Sequence, residues 1–584
     1  MVIPSGSKPS EKSLRFAYTL TALVLVIAIW RIVKVDGARP QGFDEPAHVA
    51  AGMEWLQFHT YRLDPLHPPV GRLATAGLLY LSGVRFRETN SASLPQFWDA
   101  GNSILYQGDY LHNLFLARIG ILPFFAMMLI TVFVWTRRQF GEFAALMAVM
   151  LLSTLPVILS FSSLAYTDFP AACLQLCCIL AFAEWLDRRS LASSAALGAL
   201  FGLAVLTKFT SLLYIPLAAA AILLSRFYCA NKPSNGTRHA SLSLRVALAA
   251  LTAILVTWGG YRFSVGPIDE ALGISKQPMP SFQHFPGPLR GIARESISSD
   301  WRIPAPSLFA GLAQVWVLNK SRPDAYLFQK FKPGGWWYFF LVDALFKTPI
   351  PFLIFVAVGC RSFYGWVLAR DWKPLVPLLA ALSILLFTTT VSIDSGLRHI
   401  LVVFPFLAMI AGGGAQKLWD LPKKVYVGKA ALVVMLGWQC ATTLRPGTDW
   451  ISYFNGLAGK DPSKIIISGC DLDCGQDVLN LSEELRRRSA KDVALALWTS
   501  ADLQKMNLPQ FSVLEPFQPR SGWVAVSARA MREGSVQHKG YPPGAFSWLD
   551  QHRPVAQIGS TIRLYYLPDA HESAEPDFLR DGNG

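Results

Sequence analysis

The fold class this sequence predicts is a polytopic α-helical membrane protein with about eleven transmembrane helices and a small C-terminal α/β domain outside the membrane. Three observations carry that expectation. The 584 residues are 52% hydrophobic and only 16% charged, with a mean hydropathy of +0.33, which leaves too little polar surface for a water-soluble globule of this size. About eleven apolar runs reach or approach the roughly 17 to 25 residues that cross a bilayer as a helix, the element whose backbone satisfies itself in lipid. From Leu444 onward the long runs stop and short β-rich stretches begin.

The first run, Phe16 to Val33, follows Lys8, Lys12 and Arg15 as in a signal sequence, but no small-residue cleavage site comes after it. It is expected to stay as an anchor with its N-terminus in the cytoplasm. A polar, aromatic loop at about 34–113 comes next. Six spans are then expected at Leu114 to Trp135, Phe143 to Leu164, Pro170 to Trp185, Leu191 to Leu206, Phe209 to Leu224 and Val246 to Gly260. A second long loop, rich in Pro and Trp, occupies about 261–347, before spans near Thr348 to Val367, Pro374 to Val391, Ile400 to Gly414 and Ala430 to Thr442. Residues 1–443 thus read as the membrane domain and 444–584 as the appendage. Within the latter, Trp523 to Val526 and Thr561 to Leu567 read as strands beside a charged helix near Leu481 to Arg488. No internal repeat or low-complexity tract suggests a solenoid.

The net charge of +14 does not imply nucleic acid, because the Lys and Arg residues sit in short connections between apolar runs and form no basic, aromatic-lined stripe. They mark topology instead. With the N-terminus inside, Arg137/Arg138, Arg188/Arg189, the Arg226 to Arg245 loop, Arg361/Arg370/Lys373 and Lys417/Lys423/Lys424/Lys429 all fall in the cytoplasm. The C-terminal domain is then extracytoplasmic. Eight cysteines form no disulfide framework; Cys173, Cys177 and Cys178 lie inside an apolar run, where the thiol acts as a small hydrophobe.

Ionisable residues that only solubilise would scatter between the two faces. Here the chemistry-bearing motifs collect on the outer one: Phe43-Asp44-Glu45-Pro46-Ala47-His48, Asp64-Pro65-Leu66-His67-Pro68-Pro69, Tyr166-Thr167-Asp168, Thr207-Lys208, Phe346-Lys347-Thr348-Pro349 and Asp394-Ser395-Gly396-Leu397-Arg398-His399. Carboxylates with lysines and an arginine can deprotonate an acceptor hydroxyl and hold an anionic leaving group such as a lipid phosphate. Each motif is weak alone, since adjacent Asp-Glu is commonly a helix N-terminal cap.

The segments FDEPAHVAAGMEWL, LDPLHPPVGRL, AYTDFPAA, GLAVLTKFTSLLYIPL, PGGWWYFFLVDALFKTPIPFL, SGLRHILVVFPFLAMIAGG, WISYFNGLAG and DLDCGQD together resemble the GT-C membrane glycosyltransferases of family 39. That family includes protein O-mannosyltransferases and bacterial aminoarabinose transferases, and the middle and later segments look most like uncharacterised bacterial members. The resemblance implies a multi-pass protein of a bacterial inner or plasma membrane, a polyprenyl-phosphate sugar donor, and an acceptor hydroxyl on protein, lipid or glycan. It places Asp44 as catalytic base with Glu45 beside it, Asp168 at an acceptor or metal site, and Arg398 and Lys208 on the donor phosphate. Lys347 is a secondary phosphate candidate. Where this chain has Cys474, similar bacterial proteins tend to carry Trp, which leaves the role of that segment open.

Plainer roles compete at each position. Glu45 suits a cap or a supporting hydrogen bond, and Asp168 an N-cap just before Pro170. Arg398 and Lys208 suit interfacial snorkelling, and Lys347 a surface ion pair with Asp343 four residues earlier. Asp44, Glu45, His48 and Asp168 could gather around a divalent cation, since positions 44 and 48 share a helical face. His67 suits loop shaping, with Pro68 and Pro69 fixing the backbone, more than metal ligation. Cys470 and Cys474 are spaced for a disulfide only if their segment bends.

The expected reaction is a single inverting displacement by the acceptor hydroxyl. A lipid donor needs no nucleotide-binding domain, and neither GxxxxGK[ST] nor a strand followed by GxGxxG occurs. A transporter or lipid flippase would instead place paired charges at mid-span, whereas these spans are nearly uncharged and Arg118 sits near an outer end like a surface anchor. A noncatalytic scaffold would use the C-terminal domain to bind an envelope partner.

Overall fold

The computed structural model describes residues 11–37, 39–229, 239–267, 302–422, 426–444, 449–537 and 539–568. Lys8, Lys423 and Lys424, used above for topology, and Lys232 and Arg238 of the Arg226 to Arg245 loop lie outside them. All eleven apolar runs are helical where described, but they differ in length. Six helices are long and apolar enough to cross a bilayer by themselves: Ala17–Asp36, Tyr110–Phe140, Asp168–Trp185, Ser211–Cys229, Leu242–Gly260 and Ile350–Leu368. A seventh is the pair Glu142–Ser153 and Pro156–Ser162, bent by 65°, where Pro156 withholds a backbone donor and opens a new helix. Leu191–Val205 and Lys373–Thr388 are apolar but shorter. Fifteen residues rise only about 22 Å, less than the roughly 30 Å hydrocarbon core. Such a helix ends early, so the residues after it, among them Lys208, stand among neighbouring helices.

Close packing uses glycine where backbones meet. In helix Leu191–Val205, Gly198 and Gly202 face Ala249 and Ala253 of His239–Gly260, and a Cβ at Gly198 would lie 2.1 Å from the Ala249 carbonyl oxygen. This is the small-xxx-small pattern of membrane helix pairs. Helix Val403–Trp419 is held on two sides in the same way. A Cβ at Gly412 would stand 2.3 Å from the Ala144 carbonyl oxygen, and one at Gly414 would stand 2.1 Å from that of Phe355. The turn Leu397–Ile400, which carries Arg398, comes just before that helix.

After helix Tyr426–Leu444, residues 449–477 run back over the membrane domain. Asn455 Nδ2 donates to the carbonyls of Leu345 (2.6 Å) and Thr348 (2.8 Å), and its backbone N–H donates to Phe346 (2.8 Å). It thereby satisfies orphan carbonyls at the end of helix Phe339–Lys347. Beyond it lies a five-stranded mixed sheet. Gly522–Ser527 and Ile562–Leu567 pair antiparallel, Asp492–Ala496 joins Gly522–Ser527 and Gln510–Val513 in parallel, and Ala556–Ile558 closes the other edge. Alternation splits the sheet into two faces. Val493, Leu495 and Ala525 pack on helix Val478–Arg487, while Ala494, Ala496, Val524 and Val526 pack on Ala528–Glu533. The strands and helix expected here are present within a few residues of their sequence bounds.

Replacing Gly412 by Val drives a branched side chain against a backbone carbonyl that cannot step aside. A thermal melt in detergent should show destabilisation on the order of 1–3 kcal/mol, and an unchanged melting point would refute this packing. In the C-terminal domain burial pushes Asp473 and Asp477 up to about 6, against the hydrogen bonds each accepts. A folded-state pKa above the unfolded value favours the protonated native form, so stability is fullest near pH 4 and is lost as pH rises through 6. Hydrogen–deuterium exchange, corrected for intrinsic rates, should show strands 522–527 and 562–567 better protected at pH 5 than at pH 7. Equal or weaker protection at pH 5 would contradict the assignment.

Candidate active site

Helix Glu45–Gln57 opens with Glu45 and Pro46, a first turn suited to an acidic side chain and to a residue lacking N–H. Asp44 stands at its N-cap but makes no side-chain cap. Its carboxylate is turned elsewhere: Oδ2 accepts from Arg398 Nη1 at 2.6 Å, across 354 residues of chain. The Asp44 backbone N–H donates to the Tyr166 hydroxyl at 3.0 Å, and the Arg398 guanidinium lies 6.0 Å from the Tyr166 ring. Two residues on from Tyr166, the Asp168 carboxylate accepts from Lys208 Nζ. Two carboxylate–cation pairs therefore stand side by side. Burial weakens the Arg398 charge, but Asp44 and then Asp168 more than offset this and hold its pKa above the ordinary value. Arg398 Nη2 reaches Ser395 Oγ at 3.3 Å, while Nε has no hydrogen-bond partner.

Glu45, adjacent in sequence, has the opposite environment. It is fully buried; Oε1 accepts from Arg118 Nε (2.8 Å) and the Ala165 N–H (2.7 Å), and Oε2 from Arg118 Nη2 (2.7 Å) and the Gly42 N–H (2.6 Å). Burial alone would raise its pKa, but Arg118 and these hydrogen bonds bring it below the usual value. Arg118 donates further to the carbonyls of Asp36, Arg39 and Pro40 at 3.0, 2.8 and 2.8 Å. The reading of Arg118 as a surface anchor is thus corrected. Its guanidinium is wholly buried and gathers the start of the first loop around one charge pair, because an uncompensated ion there would be too costly.

Lys347 is also buried, not at the surface beside Asp343. Its ammonium donates to the carbonyls of Ile451 (2.5 Å) and Asp471, and burial, first, lowers its pKa. The Asp471 carboxylate in turn accepts the Leu397 N–H at 3.2 Å. Gly396, at φ 88°, makes room for it, since a Cβ there would stand 2.4 Å from Asp471 Oδ2. Lys347 therefore supports the turn next to Arg398. Cys470 and Cys474 are joined in a disulfide with Cα atoms 4.7 Å apart, and their sulfurs lie 3.1 and 3.3 Å from the Tyr166 hydroxyl. Farther along, Trp498 stacks on Phe43 at 3.9 Å, so the C-terminal domain walls one side of the site.

The four-residue cation cluster expected from sequence does not assemble. Arg398 takes Asp44, Arg118 takes Glu45 and Lys208 takes Asp168. His48 turns instead toward Asp64 and His67: His67 Nδ1 lies 2.8 Å and His48 Nδ1 3.8 Å from Asp64 Oδ2. Burial, with His67 next, holds His48 down to about 4, against the pull of Asp64, Asp44 and Asp168. Asp64, raised by burial alone, is brought below the usual carboxylate range by His67, Arg72 and His48. Tyr166 and Asp471 were missed as supporting residues. Both sit in quoted motifs, but nothing local marks a tyrosine or a lone aspartate as a long-range partner.

Residues 112–258 match the family model described as dolichyl-phosphate-mannose-protein mannosyltransferase. That segment contains Arg118, Asp168 and Lys208, whereas Asp44 and Arg398 lie outside it. Among solved structures the chain is similar to ArnT from Cupriavidus metallidurans bound to undecaprenyl phosphate, at 14% identity over 95% of this chain and 98% of that one, with a TM-score of 0.46. The apo form of the same protein gives 13%, 94%, 98% and 0.45. The apo Archaeoglobus fulgidus oligosaccharyltransferase gives 14% identity over 88% of this chain and 70% of that one, with a TM-score of 0.41. No curated protein matches.

The buried pair makes a double-mutant test possible. Arg118→Met or Glu45→Gln alone should destabilise by about 3–5 kcal/mol, because each leaves an ion or its donors unmatched, and the double variant should recover part of that loss. Additive losses in thermal melts would mean the two side chains do not act as a unit.

Proposed function

We propose that this chain is a GT-C-type glycosyltransferase that transfers a sugar from a polyprenyl-phosphate donor to an acceptor hydroxyl on the extracytoplasmic face, with inversion at the anomeric carbon. The observation that carries the reading is the Asp44–Arg398 pair beside Asp168–Lys208, a base next to two cations with one guanidinium N–H to spare. The family description of the matched segment, naming a dolichyl-phosphate sugar, supports the donor class.

In the resting site Arg398 neutralises Asp44. A donor phosphate competes for that guanidinium, which suits a phosphate anion as well as a carboxylate. Binding of the donor therefore loosens Asp44 and frees it to accept a proton. The acceptor oxygen then attacks the anomeric carbon, Asp44 takes the hydroxyl proton, and the bond from carbon to phosphate oxygen breaks. The departing polyprenyl phosphate leaves with the electron pair, its charge held by Arg398 and Lys208. Asp168 keeps Lys208 in place and, with His48 and His67, borders the acceptor side. Glu45 and Lys347 act as positioning residues through Arg118 and Asp471.

Orientation rests on charge. Arg138, Glu184, Asp187, Arg226 and Lys373 form a separate network, with Asp187 2.5 Å from Arg226 and 2.7 Å from Lys373, in the connections that positive-inside counting assigns to the cytoplasm. The Cys470–Cys474 disulfide beside the site suits an oxidising compartment. Against a transporter, the ion pairs drawn from these helices sit at helix ends: Asp168 opens its helix and Arg226 lies in the last turn of its own.

Membranes carrying the chain, incubated with a panel of polyprenyl-phosphate sugars, should transfer one of them. Asp44→Asn should lower that transfer by about 10²- to 10⁴-fold. Arg398→Gln should cost a similar factor and weaken donor binding as well. Transfer that survives Asp44→Asn removes the base; donor binding without turnover in the wild type would favour the scaffold reading.

A further inference from the structure

Three side chains next to the two charge pairs carry no proton and hold no leaving group in the reaction described. One ligand-capable atom from each of His48, Asp64 and His67 lies within 4.8 Å of the others. His48 is 3% exposed and its Nδ1 has no hydrogen-bond partner, although it faces Asp64 Oδ2 at 3.8 Å. A buried, unsatisfied imidazole nitrogen aimed at a carboxylate and a second imidazole lacks something that accepts lone pairs from all three.

The frame around these atoms is rigid. Arg72 donates to the carbonyls of both Asp64 and His67, and the Tyr61 hydroxyl donates to that of His67. The Thr75 hydroxyl reaches the His48 carbonyl at 3.2 Å. Gly52 lets helix Glu45–Gln57 lie directly on helix Pro69–Leu81, since a Cβ there would be 2.3 Å from the Arg72 carbonyl oxygen. The loop with two of the side chains and the helix with the third are thus fixed relative to each other, which lowers the cost of gathering ligands.

We propose that His48, Asp64 and His67 form a binding site for a first-row divalent cation of the zinc class. Two imidazoles and one carboxylate are the donors such ions take at roughly 2.0–2.2 Å; calcium and magnesium require a shell of oxygens. Three protein ligands leave a fourth position, and His67, with its side chain 26% exposed, opens it toward solvent. The site is separate from the carboxylates paired with Arg398 and Lys208, and its occupancy does not depend on the sugar-transfer reading.

The test reads metal and not turnover. The full chain, purified in detergent and stripped with a chelator, is titrated with Co(II) and then Zn(II). One equivalent of Co(II) should give the visible absorption of a low-coordinate ion, and Zn(II) should displace it. His67→Gln, at the most exposed ligand, and Asp64→Asn should each weaken Co(II) binding by at least about tenfold. A thermal upshift on adding Zn(II) should be present in the wild type and lost in both variants. No stoichiometric Co(II) signal in the wild type, or an unaltered titration in both variants, would overturn the site and leave His67–Asp64 as a simple hydrogen-bonded pair.

Discussion

The arrangement depends on one buried charge pair. Glu45 and Arg118 are both fully enclosed; two hydrogen bonds join them, and five more tie the pair to the backbone of Asp36, Arg39, Pro40, Gly42 and Ala165. Neither ion could stay there alone, because the desolvation of each is recovered only through the other and through those backbone groups. The next residue back, Asp44, turns its carboxylate toward Arg398.

Asp44 and Glu45 show how neighbours in sequence divide labour. The helix turns about 100° per residue, so one carboxylate faces the interior of the first loop while the other faces the junction of several loops. The inner one is saturated by four donors and is an anchor; the outer one has a single cation partner and can exchange it. The same division recurs at the turn Leu397–Ile400. Arg398 projects into the site while its neighbour Leu397 gives its N–H to Asp471, which Lys347 holds from below through the backbone carbonyl. Glu45, Arg118, Lys347 and Asp471 are thus buried charges, whereas Asp44 and Arg398 are partly exposed.

The C-terminal region contributes to the membrane domain as well as following it. Asn455 closes the end of helix Phe339–Lys347, the Cys470–Cys474 turn backs Tyr166, and Trp498 stacks on Phe43. The sheet from 492 to 567 completes its own two-faced core. Its loops nevertheless form part of the wall beside Asp44, so the boundary at about residue 444 divides composition more sharply than it divides the site.

Composition and the spacing of apolar runs were enough to read a many-helix membrane protein, because backbone satisfaction in lipid leaves few other solutions. The strands around Trp523 and Ile562 were legible for a similar local reason, alternation on a sheet. That Asp44, Asp168, Lys208 and Arg398 lie near one another was legible too, because counting the charges of the connections grouped their motifs. Which carboxylate meets which cation was not, nor was the burial of Arg118 and Lys347. The sequence reading put Arg118 at a surface, kept Lys347 as a phosphate candidate with a surface ion pair as its plainer role, and grouped His48 with Asp44 when His48 faces Asp64 and His67. Helical periodicity reports which residues share a face, but partners 73 or 354 positions away are chosen by the packing of whole helices, down to single carbonyl contacts at glycines. That information exists only once the chain has closed on itself.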